Sequence, residues 1–158
     1  MLSAVPDGWL SWNFTIFDAH KPIAKIDLAC MREAGQFYLD GSNYRVFREG
    51  LLSGAFIIEK EGQVLARAEK PSALIRSFKV EYNNKCYTLE AESAMRRKFV
   101  LRGGGQTIGS VRPEHAFTRR AIIDLPMDIT LPVRVFMTWL TIILWKREAD
   151  AALVASVG

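Results

Sequence analysis

The feature that most constrains the fold of this chain is an uncharged run near its end, Val135–Trp145, which reads V-F-M-T-W-L-T-I-I-L-W. Nine of its eleven residues are large and apolar, and at a helical period they cover every side of the cylinder. Thr138 and Thr141 can donate their hydroxyl protons to the carbonyl oxygen four residues earlier, so they can be buried as well. A helix that is apolar all round lies either in a protein core or in lipid.

The length of the run favours one of these two environments. A membrane span needs about 20 apolar residues, whereas a run of about 10 to 14 is more typical of a buried core helix. Arg134 precedes the run and Lys146 follows it directly. We therefore predict a helix at the centre of a folded domain, with a membrane anchor as the less favoured alternative.

The residues around the run set the expected ends of this helix. Thr130 has the side chain of an N-cap residue, and Pro132 in the first turn loses nothing by lacking an amide proton. We expect the helix to cover residues 131–147. Residues 148–158 are only weakly amphipathic, and we expect them to form a frayed tail.

Before the helix, the chain reads as an almost unbroken series of short strands. Between Trp9 and Phe17, large apolar residues alternate with polar ones, which is the period of a half-buried strand. Later strands are separated by the hairpin signals Asp40–Gly41–Ser42–Asn43, Lys60–Glu61–Gly62, Asn83–Asn84–Lys85 and Gly103–Gly104–Gly105–Gln106. Turn signals about every 8 to 12 residues, with no helical periods between them, indicate an antiparallel sheet that is closed or nearly closed on itself.

A barrel around the helix meets the needs of both parts of the chain. The strands need a core for their inward apolar faces, and a helix that is apolar all round needs partners on every side. We predict a mainly β fold, a closed antiparallel β-barrel of about 11–12 strands wrapped around a central hydrophobic C-terminal helix. The strands occupy residues 9–125, and residues 1–158 form one domain.

The composition indicates a cytoplasmic protein with a mild preference for anionic partners. Lys and Arg number 21 against 17 Asp and Glu, which gives a formal charge of +4. This excess is below the density of a dedicated nucleic-acid binder. Cys30 and Cys86 have neither metal-ligand spacing nor the pattern of a disulfide framework, which suits a reducing cytoplasm. The start lacks the basic and apolar regions of a signal peptide, so we expect none.

Residues that could support catalysis or bind a cofactor are sparse. His20 lies in a predicted turn and His115 lies beside Glu114, which is not a general-base arrangement. The run G-G-G-Q-T-I-G has the wrong spacing for a dinucleotide fingerprint, and we interpret it as a tight hairpin with positive φ angles. We therefore expect no enzyme activity, no cofactor and no metal site, although a site assembled from distant strands would escape this pattern.

A row of basic residues is the main candidate binding feature in the sequence. Strand alternation over Met95–Arg102 places Arg97 on the inner face and its basic neighbours on the outer face. The candidate anion- or lipid-binding residues are Arg96, Lys98, Arg102, Arg112, Arg119 and Arg120. Arginine offers bidentate contacts to phosphate oxygens. The alternative is that these side chains pair with Glu90, Glu92 and Glu114, or guard the sheet against edge pairing.

The strand series that ends in D-I-T-L-P-V-R-V-F-M-T-W-L-T-I-I-L-W resembles the tubby C-terminal-like superfamily, which includes tubby domains, LURP-one-related proteins and phospholipid scramblases. The opening W-N-F-T-I-F-D-A-H-K-P-I-A-K-I is similar to the first hairpin of the LURP-one-related branch, and F-I-I-E-K-E-G-Q-V-L-A-R-A-E-K is similar to its repeated hairpin. The resemblance covers nearly the whole chain. It implies a binding or membrane-associated module, because tubby domains bind phosphoinositide headgroups through Lys and Arg on the outer surface of the barrel.

Two functions of different classes follow. The first is a non-enzymatic module that binds anionic phospholipid headgroups, or another phosphorylated ligand, through the basic outer wall, at the surface of a membrane that it does not cross. The alternative is a structural or protein–protein interaction module without lipid binding. Scramblase activity is not expected, because the chain has neither an acidic calcium loop nor a cysteine cluster. Nucleic acid is not expected either, because the aromatic residues alternate into the core and leave no stacking platform.

Overall fold

The fold is known from a computed structural model, which describes residues 1–28, 33–50 and 54–158. Cys30 lies outside the described residues, and Cys86 is an exposed free thiol. The described elements are twelve strands and one helix: β1 (Leu2–Pro6), β2 (Phe14–Asp18), β3 (Lys21–Leu28), β4 (Ala34–Leu39), β5 (Ser42–Arg48), β6 (Phe56–Lys60), β7 (Gln63–Glu69), β8 (Ser77–Tyr82), β9 (Lys85–Ala91), β10 (Phe99–Gly103), β11 (Gln106–Pro113), β12 (Ala121–Asp124) and α1 (Leu131–Val157).

The strands form a closed antiparallel barrel in which each strand pairs with the next one in the chain. The barrel closes where β1 pairs with β12, with Leu2 opposite Ile123 and Ala4 opposite Ala121. In β10, Phe99 and Leu101 belong to the core and are fully buried. The predicted closed barrel is confirmed, including its strand number.

The two ends of the barrel are built differently. At one end, the turn end, consecutive strands are joined by two-residue turns, among them Asp40–Gly41, Glu61–Gly62, Asn83–Asn84 and Gly104–Gly105. Both residues of each of these four turns have positive φ, as type I′ hairpins require, so the predicted glycine hairpin is confirmed. At the other end, the loop end, the connections at residues 7–13, 70–76, 92–98 and 114–120 are each seven residues long.

Helix α1 passes through the barrel from the turn end to the loop end. Near its start, Tyr82 at the turn end donates a hydrogen bond from its hydroxyl to the Thr130 hydroxyl, at 3.3 Å. Near the loop end, the indole nitrogen of Trp145 donates to the carbonyl of Arg97, at 2.9 Å. Every residue from Val133 to Trp145 is buried, which confirms the predicted central helix.

The polar and aromatic residues of the buried segment pack as its sequence predicts. The hydroxyl groups of Thr138 and Thr141 donate to the carbonyl oxygens of Arg134 and Met137, four residues earlier, at 2.9 and 3.2 Å. The Trp139 ring lies 5.9 Å from the ring of Phe56 on β6, centroid to centroid. The helix thereby joins the wall in one apolar core. Among the described residues, no helix has the length and apolar character needed to cross a membrane.

Some element bounds differ from those expected. The expected strand from residue 9 to 17 is instead the 7–13 loop followed by β2, because the Asp7 amide bonds to the Asn13 carbonyl and closes a loop. An additional strand, β1, precedes that loop. The helix does not fray after residue 147 but continues to Val157. Its alanine-rich sequence favours a helix, and Lys146 pairs with Asp150 one turn later at 2.6 Å.

The start of the helix agrees with the prediction only in part. Thr130 is the N-cap residue and Pro132 lies in the first turn, as expected. The Thr130 side chain, however, makes no capping hydrogen bond. The amides of Val133 and Arg134 both bond to the Thr130 backbone carbonyl at 3.0 Å, so the first turn is closed by the backbone.

We expect Trp139→Asp to prevent folding, because Trp139 is 0% exposed and lies at the centre of the core. Truncating a buried Trp costs about 3–5 kcal/mol, and an unpaired buried charge adds to that loss against a total stability of about 5–15 kcal/mol. The matched control is Trp9→Asp, the same substitution at a side chain that is 79% exposed. Urea unfolding followed by circular dichroism should show a cooperative transition for the control alone. A cooperative transition for Trp139→Asp close to that of the wild type would contradict the central helix.

Candidate functional site

A basic cleft opens at the loop end, between the 92–98 loop and the end of β11. It encloses about 350 Å³. Its lining residues are Met95, Arg96, Arg97, Lys98, Arg112, Pro113 and Ala116. Four of these seven residues are cationic and none is acidic. The cleft therefore combines the charge that attracts an anion with three apolar lining residues.

The two loops that border the cleft are folded in the same way. In the first, the Glu92 amide donates to the Lys98 carbonyl at 2.9 Å, which joins the first residue of the loop to the seventh. In the second, the Glu114 amide donates to the Arg120 carbonyl, also at 2.9 Å. These bonds close each loop upon itself. They give the cleft walls a fixed backbone geometry. The lining residues of the first loop do not belong to a strand.

Arg96 and Lys98 reach the cleft from this loop, and not from a strand as predicted, because β10 begins only at Phe99. Both side chains pair with Glu92, Lys98 at 2.7 Å and Arg96 at 3.4 Å. The hydrogen bond from Lys98 is the main reason why the pKa of Glu92 lies below its ordinary value. Glu92 therefore stays ionised at neutral pH and holds the two cations at the rim of the cleft.

Arg112 lies on the outer face of β11, opposite Ile122 of β12. Its side chain is exposed and, within residues 1–28, 33–50 and 54–158, makes neither an ion pair nor a hydrogen bond. It is therefore the cation of the cleft whose charge is least compensated by the protein. An incoming anion meets this guanidinium without having to displace a carboxylate.

Arg97 is a lining residue that the sequence pattern did not single out, because alternation assigned it to the inner face. Its guanidinium lies over the Trp145 ring, 4.5 Å from the centroid, and donates to the Thr118 carbonyl at 2.8 Å. Burial lowers the pKa of Arg97, and the nearby charge of Glu148 opposes that shift. An inward position at the barrel rim thus brings Arg97 to the end of the helix, where its guanidinium remains charged and partly accessible.

The other three predicted residues do not line the cleft. Arg102 lies towards the turn end of β10 and pairs with Glu90 at 2.5 Å. Arg119 donates to the backbone carbonyls of Ser11 and Gly8, at 2.5 and 3.0 Å, and its guanidinium lies over the Trp12 ring. Arg120 faces Glu114 at 3.7 Å. The six predicted residues therefore do not form one stripe.

The alternative prediction is that these cations pair with Glu90, Glu92 and Glu114. It is confirmed for four of them, Arg96, Lys98, Arg102 and Arg120. Such exposed pairs contribute only about 0–1 kcal/mol each. A dianionic phosphate can compete for cations held this weakly. Pairing with these carboxylates thus positions the side chains without removing them from binding.

Two further expectations bear on the site. The expectation that the aromatic residues face the core is wrong for Trp9 and Phe117, which are exposed at the loop end. His20 and His115 are exposed in a turn and a loop. In the part of the chain that the structure describes, no group of three or more His, Cys, Asp or Glu side chains could hold a metal ion.

Comparison of the chain with protein-family models, with curated proteins and with solved structures gives no match. The resemblance to the tubby C-terminal-like superfamily therefore stays a prediction.

We expect Glu92→Gln to strengthen the binding of a soluble anion, because it removes the carboxylate that competes for Lys98 and Arg96. Loss of one exposed competing pair of about 0.5–1 kcal/mol corresponds to a gain of about two- to fivefold in affinity. The matched control is Glu90→Gln, which releases Arg102 outside the cleft. Titration with inorganic pyrophosphate, followed by NMR shifts of arginine side chains, measures both. Equal gains for the two variants would contradict the cleft as the binding site.

Proposed function

We propose that this chain is a non-enzymatic binding module that recognises the phosphate of anionic phospholipid headgroups through the basic cleft. The observation that carries the proposal is the lining of the cleft, which has four cations and no carboxylate. We further propose that the protein acts in the cytoplasm, at a membrane surface. The resemblance to the tubby superfamily supports the same function, since tubby domains bind phosphoinositide headgroups through Lys and Arg.

The chemistry of the lining residues suits a phosphate monoester or diester. The planar guanidinium groups of Arg96 and Arg112 can each form two parallel hydrogen bonds to phosphate oxygens, while Lys98 acts as a point charge. Arg97 adds a fourth positive charge to the site. Its position is fixed because its guanidinium stacks on the Trp145 ring. A volume of about 350 Å³ is at the small end of the range for ligand pockets, which fits a headgroup better than a large solute.

We expect reversal of three cleft charges, by Arg96→Glu, Lys98→Glu and Arg112→Glu together, to abolish binding to anionic vesicles. Each Lys or Arg near an anionic membrane contributes about 1 kcal/mol, so loss of three should lower the affinity about 100-fold. The matched control is Lys21→Glu, Lys79→Glu and Lys85→Glu, which changes the total charge equally at exposed positions outside the cleft. Flotation with phosphatidylserine-containing vesicles, compared with pure phosphatidylcholine, measures the effect.

The salt dependence of binding provides a second criterion. Wild-type affinity should fall as ionic strength rises, because the contacts between cleft and headgroup are electrostatic and partly exposed. Equal losses in the cleft variant and the control would show that net charge alone, not the cleft, drives binding. Failure of the wild type to bind anionic vesicles would overturn the proposed function.

A second function, protein–protein interaction without lipid binding, is favoured by the large apolar side chains exposed at the loop end. Exposed apolar groups of this kind mark contact surfaces of either class. A stoichiometric complex with a protein partner, unaffected by reversal of the cleft charges, would support this alternative. The lipid function is the better supported of the two, because the same end of the barrel also carries the basic cleft.

A further inference from the structure

The loop end of the barrel displays large apolar side chains on several separate loops. The fourth residue of three loops is apolar and almost fully exposed: Leu10 at 86%, Met95 at 94% and Phe117 at 97%. Trp9 lies next to the first of these, and Leu74 and Ile75 are exposed on the 70–76 loop. The four turns with two positive-φ residues at the opposite end contain no large apolar residue, although Met1 and Met127 are exposed near Leu131 at that end. This asymmetry calls for an explanation.

The loops that carry these side chains are braced by basic residues. The Lys70 ammonium group donates to the backbone carbonyls of Ser72, Ala73 and Ile75 in its own loop. Arg76, the last residue of that loop, donates to the carbonyls of Ala94 and Arg96 in the next loop, at 3.3 and 3.1 Å. One loop is thereby fixed internally and also holds its neighbour.

The same arrangement continues around the rim. Arg97 of the 92–98 loop donates to the Thr118 carbonyl of the 114–120 loop. Arg119 of that loop donates in turn to the Gly8 and Ser11 carbonyls of the 7–13 loop. Each loop from 70–76 onwards therefore braces the next one. Loops tied in this way cannot fold their apolar tips back onto the core, so the tips remain exposed to solvent until something covers them.

The end of α1 adds to the same surface. The helix leaves the barrel at the loop end, where Glu148 pairs with Arg76 at 2.5 Å. The charged residues of the part that leaves the barrel lie within 146–150, and residues 151–157 are uncharged. Leu153, Val154 and Val157 on this part of the helix are exposed. Seven residues rise by about 10 Å, so this apolar segment extends well past the charged segment.

The distribution of charge identifies the occupant of this surface. Ile75 and Met95 are each followed by an arginine, and Phe117 is separated from Arg119 by a single residue, so the tips of three loops have a cation beside them. Arg119 also contacts the loop that carries Leu10. The basic cleft opens at the same end. An anionic bilayer satisfies both groups at once, because aromatic and aliphatic tips enter the interface while cations stay among the phosphates. A protein partner would need a separate pocket for each dispersed tip.

Building on the proposed function, we propose that the loop end docks face-on against an anionic phospholipid bilayer and that its apolar tips enter the interface. The tips are Trp9, Leu10, Leu74, Ile75, Met95 and Phe117. In this orientation the barrel axis is steep to the membrane, the basic cleft faces the headgroups, and residues 151–157 of the helix lie in the outer part of the acyl region. The wall and the turn end remain in water.

The test compares tip residues with exposed apolar residues elsewhere. The tip variant combines Leu10→Ser, Leu74→Ser and Phe117→Ser, none of which lines the basic cleft. The control combines Tyr38→Thr, Val64→Thr and Ile108→Thr, three exposed positions on the wall, where Thr keeps the strand propensity. We expect the tip variant to bind phosphatidylserine-containing vesicles at least tenfold more weakly than wild type, and the control to bind like wild type. Both should bind inorganic pyrophosphate as wild type does, because the cleft cations are unchanged.

Fluorescence quenching measures insertion directly. Vesicles with brominated acyl chains should quench part of the wild-type tryptophan emission, and Trp9→Phe should remove that quenchable part while keeping the affinity. If the tip variant binds vesicles like wild type, or if Trp9 is not quenched, insertion is wrong while headgroup binding stands. If the wild type binds no anionic vesicle but still binds pyrophosphate, the ligand is a soluble phosphate and face-on docking is wrong. A complex with a protein that covers the tips would also overturn it.

Discussion

The structure depends on the burial of one helix on all of its sides. An open sheet could cover only one face of α1, and the opposite face would leave Leu140 or Ile143 in water. A closed wall is the arrangement that gives apolar neighbours in every direction. The wall also matches the helix in size, since small residues such as Ala4, Ala66 and Ala68 face the core that holds Trp139 and Phe136. Closure and burial therefore require each other.

This constraint leaves only the outside for function and makes the two ends of the barrel unequal. A filled interior has no room for a ligand, unlike barrels that enclose one. Two-residue turns with positive φ, such as Asp40–Gly41, favour small or polar residues and present no large apolar side chain to solvent. Seven-residue loops at the other end have room to fold on themselves and to direct side chains outward. The asymmetry of turn length thus determines where a binding surface can form.

The sequence predicts the regular part of this molecule well because periodicity reports burial. The alternation in strands and the all-round apolar run identify which side chains meet the core, and hairpin residues mark where strands reverse. The same reasoning fails in the loops, where no pleat fixes side-chain direction. Alternation predicts that Arg96 and Lys98 belong to a strand, whereas they lie in a loop. The spacing does contain a signal for the similar loops: Leu10, Met95 and Phe117 each follow an acidic residue by three positions.

Contacts between distant loops lie beyond any local pattern. Arg119 reaches Ser11, which is 108 residues away in the chain, and no spacing rule connects the two. Such contacts between loops matter for function because they divide the basic residues into two groups. Arg76 and Arg119 donate hydrogen bonds to loop carbonyls and fix the shape of the rim. Arg112, Arg96 and Lys98 keep their charge at the cleft. The net charge of +4 therefore says little about binding strength. What decides it is which cations remain available at the cleft, namely Arg112, and Arg96 and Lys98 in their weak exposed pairs with Glu92.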